Sequence, residues 1–265
     1  MPDTRIQKEG ETMKPVVVRN IKIGEGRPKI CVPVVARDEV SILKDAREIR
    51  ALPVDVVEWR ADWYEDVTSI GKTMGMAAKL RQVLGDIPVL FTFRSAKEGG
   101  KMEISPEDYA ALNCRVASGG QVDLVDVELS MGDSLVEDVI QKIHMEGLGV
   151  IVSSHDFEKT PPKEELVSRM EKMQRLGADI AKVAVMPRSG EDVLTLLSAT
   201  LEMHEHHARV PLITMSMSSA GVLSRLSGEV FGSALTFGAA SQASAPGQIG
   251  VRDLKTVLDI VHNSR

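Results

Sequence analysis

Lys182 lies inside Ala-Asp-Ile-Ala-Lys-Val-Ala-Val-Met, a run of small and branched apolar side chains. A charge is costly in such a strand unless it is paired or used. An amine partly stripped of water, with cationic neighbours, loses its proton more readily. It can then attack a carbonyl carbon and form a Schiff base. The bland alternative is a lysine that reaches out to solvent or pairs with a carboxylate. His155 ends the fifth apolar run, in Ser-Ser-His-Asp-Phe, and an imidazole there suits proton transfer in both directions near neutral pH. Arg94 opens Arg-Ser-Ala-Lys-Glu-Gly-Gly. Its guanidinium suits a hydroxyl or a carboxylate, Glu98 suits the orienting of a histidine, and Gly99-Gly100 allows a sharp bend. Arg225 follows Met215-Ser-Met-Ser-Ser-Ala-Gly-Val-Leu-Ser, where the first turns of a helix and a guanidinium would suit a carboxylate or phosphate. Glu58 and Arg60 flank Trp59, and Ser244-Ala-Pro-Gly-Gln248 offers polar groups that could close over a ligand.

These residues need elements to bring them together. Continuous apolar, β-rich runs occur at 29–35, 54–60, 88–94, 122–129, 148–155, 178–186, 211–217 and 233–238. Continuous rather than alternating hydrophobicity is the pattern of parallel strands covered on both faces. Helical periodicity fills the gaps, for example at Val40–Arg50, Pro106–Ser118, Lys163–Leu176 and Asp192–His206. Ser105-Pro106-Glu107-Asp108 and Thr160-Pro161-Pro162 read as helix starts, and Gly177 as a helix end. Eight strands each followed by a helix in 265 residues predict a (β/α)₈ (TIM) barrel, an α/β fold that uses about 250 residues in one piece. An open doubly wound sheet is the rival. Val16-Val17-Val18 and Ile21-Lys22-Ile23 predict a short β-hairpin closing the barrel's N-terminal end. Residues 1–12 read as a disordered extension, and 13–265 as a single barrel domain. In such a barrel the C-terminal strand ends face the active site. Those ends hold Glu58, Arg60, Arg94, Glu128, His155, Lys182 and Met217, more charge than a core tolerates without a use.

Composition excludes several classes. The net charge of −6 and 3% aromatic content argue against a nucleic-acid partner, which wants a basic surface and stacking platforms. No apolar run is long enough for a membrane helix, and the first dozen residues lack the apolar region of a secretory signal. Two cysteines, Cys31 and Cys114, make no disulfide framework and read as reduced thiols of a cytoplasmic protein. His204 and His207 share a helical face but have no third ligand at a strand end, so no metal site is expected. Gly24-Glu-Gly26 lacks the third glycine of a dinucleotide fingerprint.

The chain resembles the type I 3-dehydroquinate dehydratases, Schiff-base enzymes of the shikimate pathway and aromatic amino acid biosynthesis. The resemblance rests on Glu58-Trp-Arg60, Phe91-Thr-Phe-Arg-Ser-Ala-Lys-Glu-Gly-Gly100, His155-Asp-Phe with Lys159-Thr-Pro, and Met173-Gln-Arg-Leu-Gly-Ala-Asp. It continues with Lys182-Val-Ala-Val-Met-Pro, Ile213-Thr-Met-Ser-Met-Ser, Ser224-Arg-Leu and Ser244-Ala-Pro-Gly-Gln248. It runs in order from about Val16 to the C-terminus. It implies a hydro-lyase acting as a homodimer on 3-dehydroquinate, with no metal or cofactor. It implies that Lys182 forms the imine, His155 is the general acid/base and Glu98 its carboxylate partner. Arg225 is implied to hold the substrate carboxylate, and Glu58, Arg60, Arg94, Ser244 and Gln248 the rest of the substrate. Three residues depart from the pattern: Ser154 where asparagine is expected, Ala181 where proline is expected, and Pro33 where some members have serine. A class I aldolase acting on phosphorylated sugars is the alternative on charge alone; a non-catalytic binding or regulatory protein on an old enzyme scaffold is a third reading, against which Lys182, His155 and Glu98 together speak.

Overall fold

The computed structural model describes residues 13–240 and 248–265. Residues 1–12 and Ser244 therefore lie outside the described residues. The described chain opens with the hairpin β1 (Val16–Val18) and β2 (Ile21–Ile23). Eight parallel strands follow: β3 (Lys29–Val34), β4 (Val56–Arg60), β5 (Val89–Thr92), β6 (Leu124–Glu128), β7 (Gly149–Asp156), β8 (Ile180–Val185), β9 (Leu212–Ser216) and β10 (Leu235–Ala239). They pair in chain order from β3 to β9, and β10 pairs with β3. The circle closes between β9 and β10 through a single bridge, Leu212 to Ser233. There Ala234 N donates to Leu212 O at 2.7 Å, and Thr214 N donates to the Ser233 hydroxyl at 3.0 Å. The expected barrel is therefore closed, with its last seam made by one bridge and a side chain. A two-residue strand, β11 (Ile249–Gly250), extends the sheet beside β10.

The helices are α1 (Glu39–Arg50), α2 (Ile70–Leu84), α3 (Pro106–Ser118), α4 (Asp133–Met145), α5 (Lys163–Arg175), α6 (Gly190–Glu202), the short α7 (Val222–Leu226) and α8 (Gly228–Phe231), and α9 (Val251–Asn263). Local sequence sets several of their ends. Ser105 accepts from Asp108 N ahead of Pro106, and Ser189 and Asp192 form a reciprocal capping box, each satisfying amides the helix leaves free. That box starts α6 two residues before Asp192, and the helix gives way to a π turn at Met203–His207. Thr160 does not cap α5; Pro162 holds that position without a side-chain bond. Thr160 Oγ1 instead donates to Met186 O at 3.1 Å, joining the loops that follow β7 and β8. No helix of the described residues is long and apolar enough to cross a membrane.

Along each strand, side chains alternate between the helix layer and the barrel interior. Trp59, Phe91, Val125, Val152, Ala181 and Val183 face outward and are buried against the helices. Inward, Cys31, Val56, Leu90, Leu124, Ile151, Ile180, Ile213 and Leu235 form one apolar layer near the strand starts. Val18 and Ile23 of the hairpin pack beneath it, so the hairpin closes the N-terminal end. Asp123 pins the hairpin there, pairing with Arg19 of the hairpin turn and Arg81 of α2. Two of the three departures from the family pattern are outward residues. Ser154 Oγ lies 3.4 Å from Arg169 Nη1 of α5, and Ala181 packs in the outer core. Only Pro33 faces the interior cavity.

Candidate active site

Two residues further along each strand the interior changes character. Above Val56, Leu90, Leu124, Ile151 and Ile180 stand Glu58, Thr92, Asp126, Ser153 and Lys182, all of them buried. At the C-terminal strand ends a cavity is lined by the polar groups Glu58, Arg60, Arg94, Glu98, His155, Lys182, Arg225 and Gln248, and by the apolar Ala184, Met186, Met215, Met217, Phe157 and Phe237. Eight of the nine expected site residues thus meet around one cavity, and the ninth, Ser244, lies outside the described residues.

Lys182 sits at mid-strand in β8 and is 3% exposed. Its Nζ lies 3.4 Å from Asp126 Oδ2, 3.7 Å from Glu58 Oε1 and 4.7 Å from the centre of the Phe237 ring. Its nearest charged groups are therefore carboxylates from β6 and β4, not the arginines that charge counting suggests. Glu58 is held in turn by the Thr92 hydroxyl at 2.9 Å.

Arg94 links the floor together. Its Nη1 donates to Glu128 Oε1 at 2.8 Å and to Ser153 Oγ at 3.0 Å, and its Nη2 to Asp126 Oδ1 at 2.8 Å. Ser153 also donates to Asp126 at 2.7 Å. Burial opposes the charge on Arg94, but Asp126, Glu128 and Glu98 outweigh it and push the guanidinium pKa up. Burial likewise opposes ionisation of Asp126. Arg94 and Lys182 outweigh that and hold its carboxyl below the usual range. Removing one member of such a set leaves an uncompensated buried charge, which costs far more than the intact set gains.

His155 Nδ1 and Glu98 Oε2 are 2.9 Å apart, and the same oxygen accepts the His155 backbone N–H at 3.0 Å. This double contact fixes the ring and directs Nε2 away from Glu98. Burial lowers the imidazole pKa well below its ordinary value, and Arg94, Lys182 and Arg60 lower it further. Burial pushes Glu98 up to about 7, against the downward pull of Arg94. Phe157 stacks on the imidazole with ring centres 6.5 Å apart and lies over Gly99, whose φ of +83° and contact with that ring leave no room for a Cβ.

Arg225 is the fourth residue of α7 and is 2% exposed. Its guanidinium contacts Met215 Sδ at 3.9 Å, and its Nε has no partner among the described residues. No carboxylate of the described residues pairs with it, and burial alone lowers its pKa. A buried cation without an anion is an open anion site. Neither His204 nor His207 enters the cavity. His207 pairs with Glu171 on the outer surface, and among the described residues no cluster is arranged to hold a metal ion.

Sequence reasoning missed Asp126, Ser153 and Asp62. Asp126 carries the same signal as Lys182, a charge inside the apolar run Val-Asp-Leu-Val-Asp-Val-Glu-Leu, and the signal could have found it.

A closed parallel barrel with a buried ionic pocket at the C-terminal strand ends is the layout of a barrel enzyme. The model of the type I 3-dehydroquinase family matches residues 30–265. A 3-dehydroquinate dehydratase of Clostridioides difficile is 52% identical over 249 residues, covering 94% of this chain and 98% of that protein. The type I enzyme from Clostridium difficile, in a crystal structure with covalently modified comenic acid, superposes with a TM-score of 0.94 at 51% identity. That match covers 96% of this chain and 100% of the other. The Geobacillus kaustophilus 3-dehydroquinate dehydratase gives 0.93 at 43% identity, covering 96% and 99%. The chain belongs to the type I 3-dehydroquinase family and is thereby a hydro-lyase, as its motifs imply.

Proposed function

We propose that this protein dehydrates 3-dehydroquinate to 3-dehydroshikimate through a Schiff base on Lys182, with His155 as general acid/base. The observation that carries this reading is one cavity holding a mid-strand lysine, an oriented histidine–carboxylate pair and a buried arginine that has no anionic partner among the described residues. The Lys182 amine attacks the C3 ketone through its nitrogen lone pair. His155 moves protons as the carbinolamine loses water to the iminium. The iminium withdraws electrons from C2, and His155 takes the C2 proton to leave an enamine. The enamine expels the C1 hydroxyl, which leaves as water with the proton from His155. A water molecule then hydrolyses the imine, releasing product and the free amine, so one water is lost in the net reaction.

Arg225 supplies the charge for the substrate carboxylate, and Glu58, Arg60, Arg94, Ser244 and Gln248 the groups for the ring hydroxyls and remaining contacts. Comenic acid, named as covalently modified in the C. difficile structure, is a small carboxylate, which supports covalent chemistry on a ligand of this size and charge. On the same reading the enzyme works in the cytoplasm as a homodimer, with residues 13–265 as one catalytic domain. The test is the mass of the intact protein and its peptides after 3-dehydroquinate and then borohydride. A reduced adduct on Lys182 is expected. No adduct, with the ligand still raising Tm, would mean binding without chemistry. Neither adduct nor stabilisation would overturn the substrate, and phosphorylated sugars would be tried next.

A further inference from the structure

Asp62 does not line the cavity, yet every hydrogen bond of its side chain goes to an element that does. It stands in a short 3₁₀ turn, Ala61–Trp63, directly after Arg60 at the end of β4, and is 1% exposed. Its Oδ1 accepts from Arg60 Nε at 2.8 Å and its Oδ2 from Arg60 Nη2 at 2.9 Å. This is the two-pronged pairing that fixes a guanidinium in position and in plane. The same two oxygens accept from two backbone amides of the loop after β5, Arg94 N at 3.3 Å and Lys101 N at 3.2 Å.

Those amides are the two ends of the segment that carries both Arg94 and Glu98. Between them the loop is tied to itself. Gly100 N donates to Ser95 O at 2.8 Å and Ala96 N to Met102 O at 2.8 Å. A Cβ at Gly100 would overlap the Arg94 carbonyl. Outside, the Lys101 ammonium lies 4.1 Å above the Trp63 ring, joining the same two segments a second time. One buried carboxylate therefore sets the direction of Arg60 and the seat of Glu98, and through Glu98 the orientation of His155.

We propose that Asp62 is a positioning residue that couples the Arg60 arm of the binding site to the Glu98–His155 proton-transfer pair. The proposal rests on the functional reading above for what Arg60 and His155 do. It implies that loss of Asp62 harms binding and proton transfer together, although Asp62 touches neither substrate nor reacting atoms.

The test is Asp62→Asn, which keeps the shape but turns an NH₂ group toward one set of donors. KM for 3-dehydroquinate should rise about tenfold, the scale of one lost charge-assisted hydrogen bond. At the same time kcat should fall and its pH profile should shift. In an Arg60→Ala background the KM effect of Asp62→Asn should vanish while the shift in the kcat profile remains. Hydrogen exchange of the 94–101 peptide should speed up in either background. Asp62→Glu, which keeps the charge, should restore part of KM and serves if the asparagine variant does not fold. A lowered Tm with KM, kcat and pH profile unchanged would overturn the proposal, as would additive KM effects of the two substitutions. Wild-type protein that fails to dehydrate 3-dehydroquinate would sink the functional reading and the catalytic consequence drawn here. The exchange measurement would still decide whether Asp62 holds the loop.

Discussion

The two halves of the barrel interior are built on the same strands and differ by one inward step. In the lower half Val56, Leu90, Leu124, Ile151 and Ile180 make an apolar layer sealed by the hairpin. Two residues on, Glu58, Thr92, Asp126, Ser153 and Lys182 make a buried ionic and hydroxyl network. The inward period of a strand is two residues, or about 6.6 Å along it. Apolar burial is thus concentrated in one layer and ionisable groups in the next. The upper layer is affordable because each charge in its floor has partners, whereas Arg225 pairs with no carboxylate among the described residues.

Substitutions in matched positions of the two layers would sharpen or break this contrast. Lys182→Ala should abolish the covalent adduct and lower kcat by more than the loss of one acid–base residue, typically about 10²–10⁴-fold. His155→Ala should fall inside that range. Steady-state turnover of both variants checks the order, and comparable turnover of Lys182→Ala and wild type would break the assignment. Ile180→Ala, one inward step below Lys182, should instead cost about 2–5 kcal/mol of stability from the cavity it leaves. Denaturant unfolding should register that loss while KM stays close to wild type. A large KM change there would show that the layers are not independent.

The smallest effect concerns Glu98. Its carboxyl is raised to about 7 by burial, so it ionises near neutrality, while His155 stays unprotonated well below its ordinary range. As pH falls through 7, Glu98 takes up a proton and no longer anchors His155 Nδ1–H as an anion. The pH profile of kcat/KM should therefore drop near 7, and Glu98→Gln should remove that inflection at a cost of a few-fold in rate. The linkage has a definite sign. A carboxyl with a raised folded pKa contributes stability that is fully present below its unfolded value of 4.5 and is lost as pH rises through about 7. The stability advantage of Glu98→Gln over wild type should accordingly be larger at pH 8 than at pH 5, measured by urea unfolding.

Much of the barrel was legible in the sequence because strands covered on both faces leave continuous apolar runs, and charges inside such runs stand out. Glu58-Trp59-Arg60 is readable as in, out, in. The partners of those charges were not readable. Arg94 meets Asp126 and Glu128 only because the fold brings β5 and β6 together across 32 and 34 residues. Asp62 reads as an ordinary turn residue until residues 94 and 101 are seen to donate to it. Thr160 reads as a helix cap because local sequence cannot reveal that Met186 O competes for its hydroxyl. The direction of Ser154 and Ala181 follows from strand alternation, and their outward placement explains how they can vary without entering the cavity.

The seam between β9 and β10 has a kinetic consequence. Its neighbours in the circle are joined by ladders of two to six residue pairs, whereas here one bridge and the Ser233 hydroxyl carry the join. Segments with few backbone bonds open at the lowest free energy. The barrel is therefore a ring with a weak stave, and partial opening is expected to cost least between Leu212 and Leu235. A protease or denaturant should meet the interior first along that line.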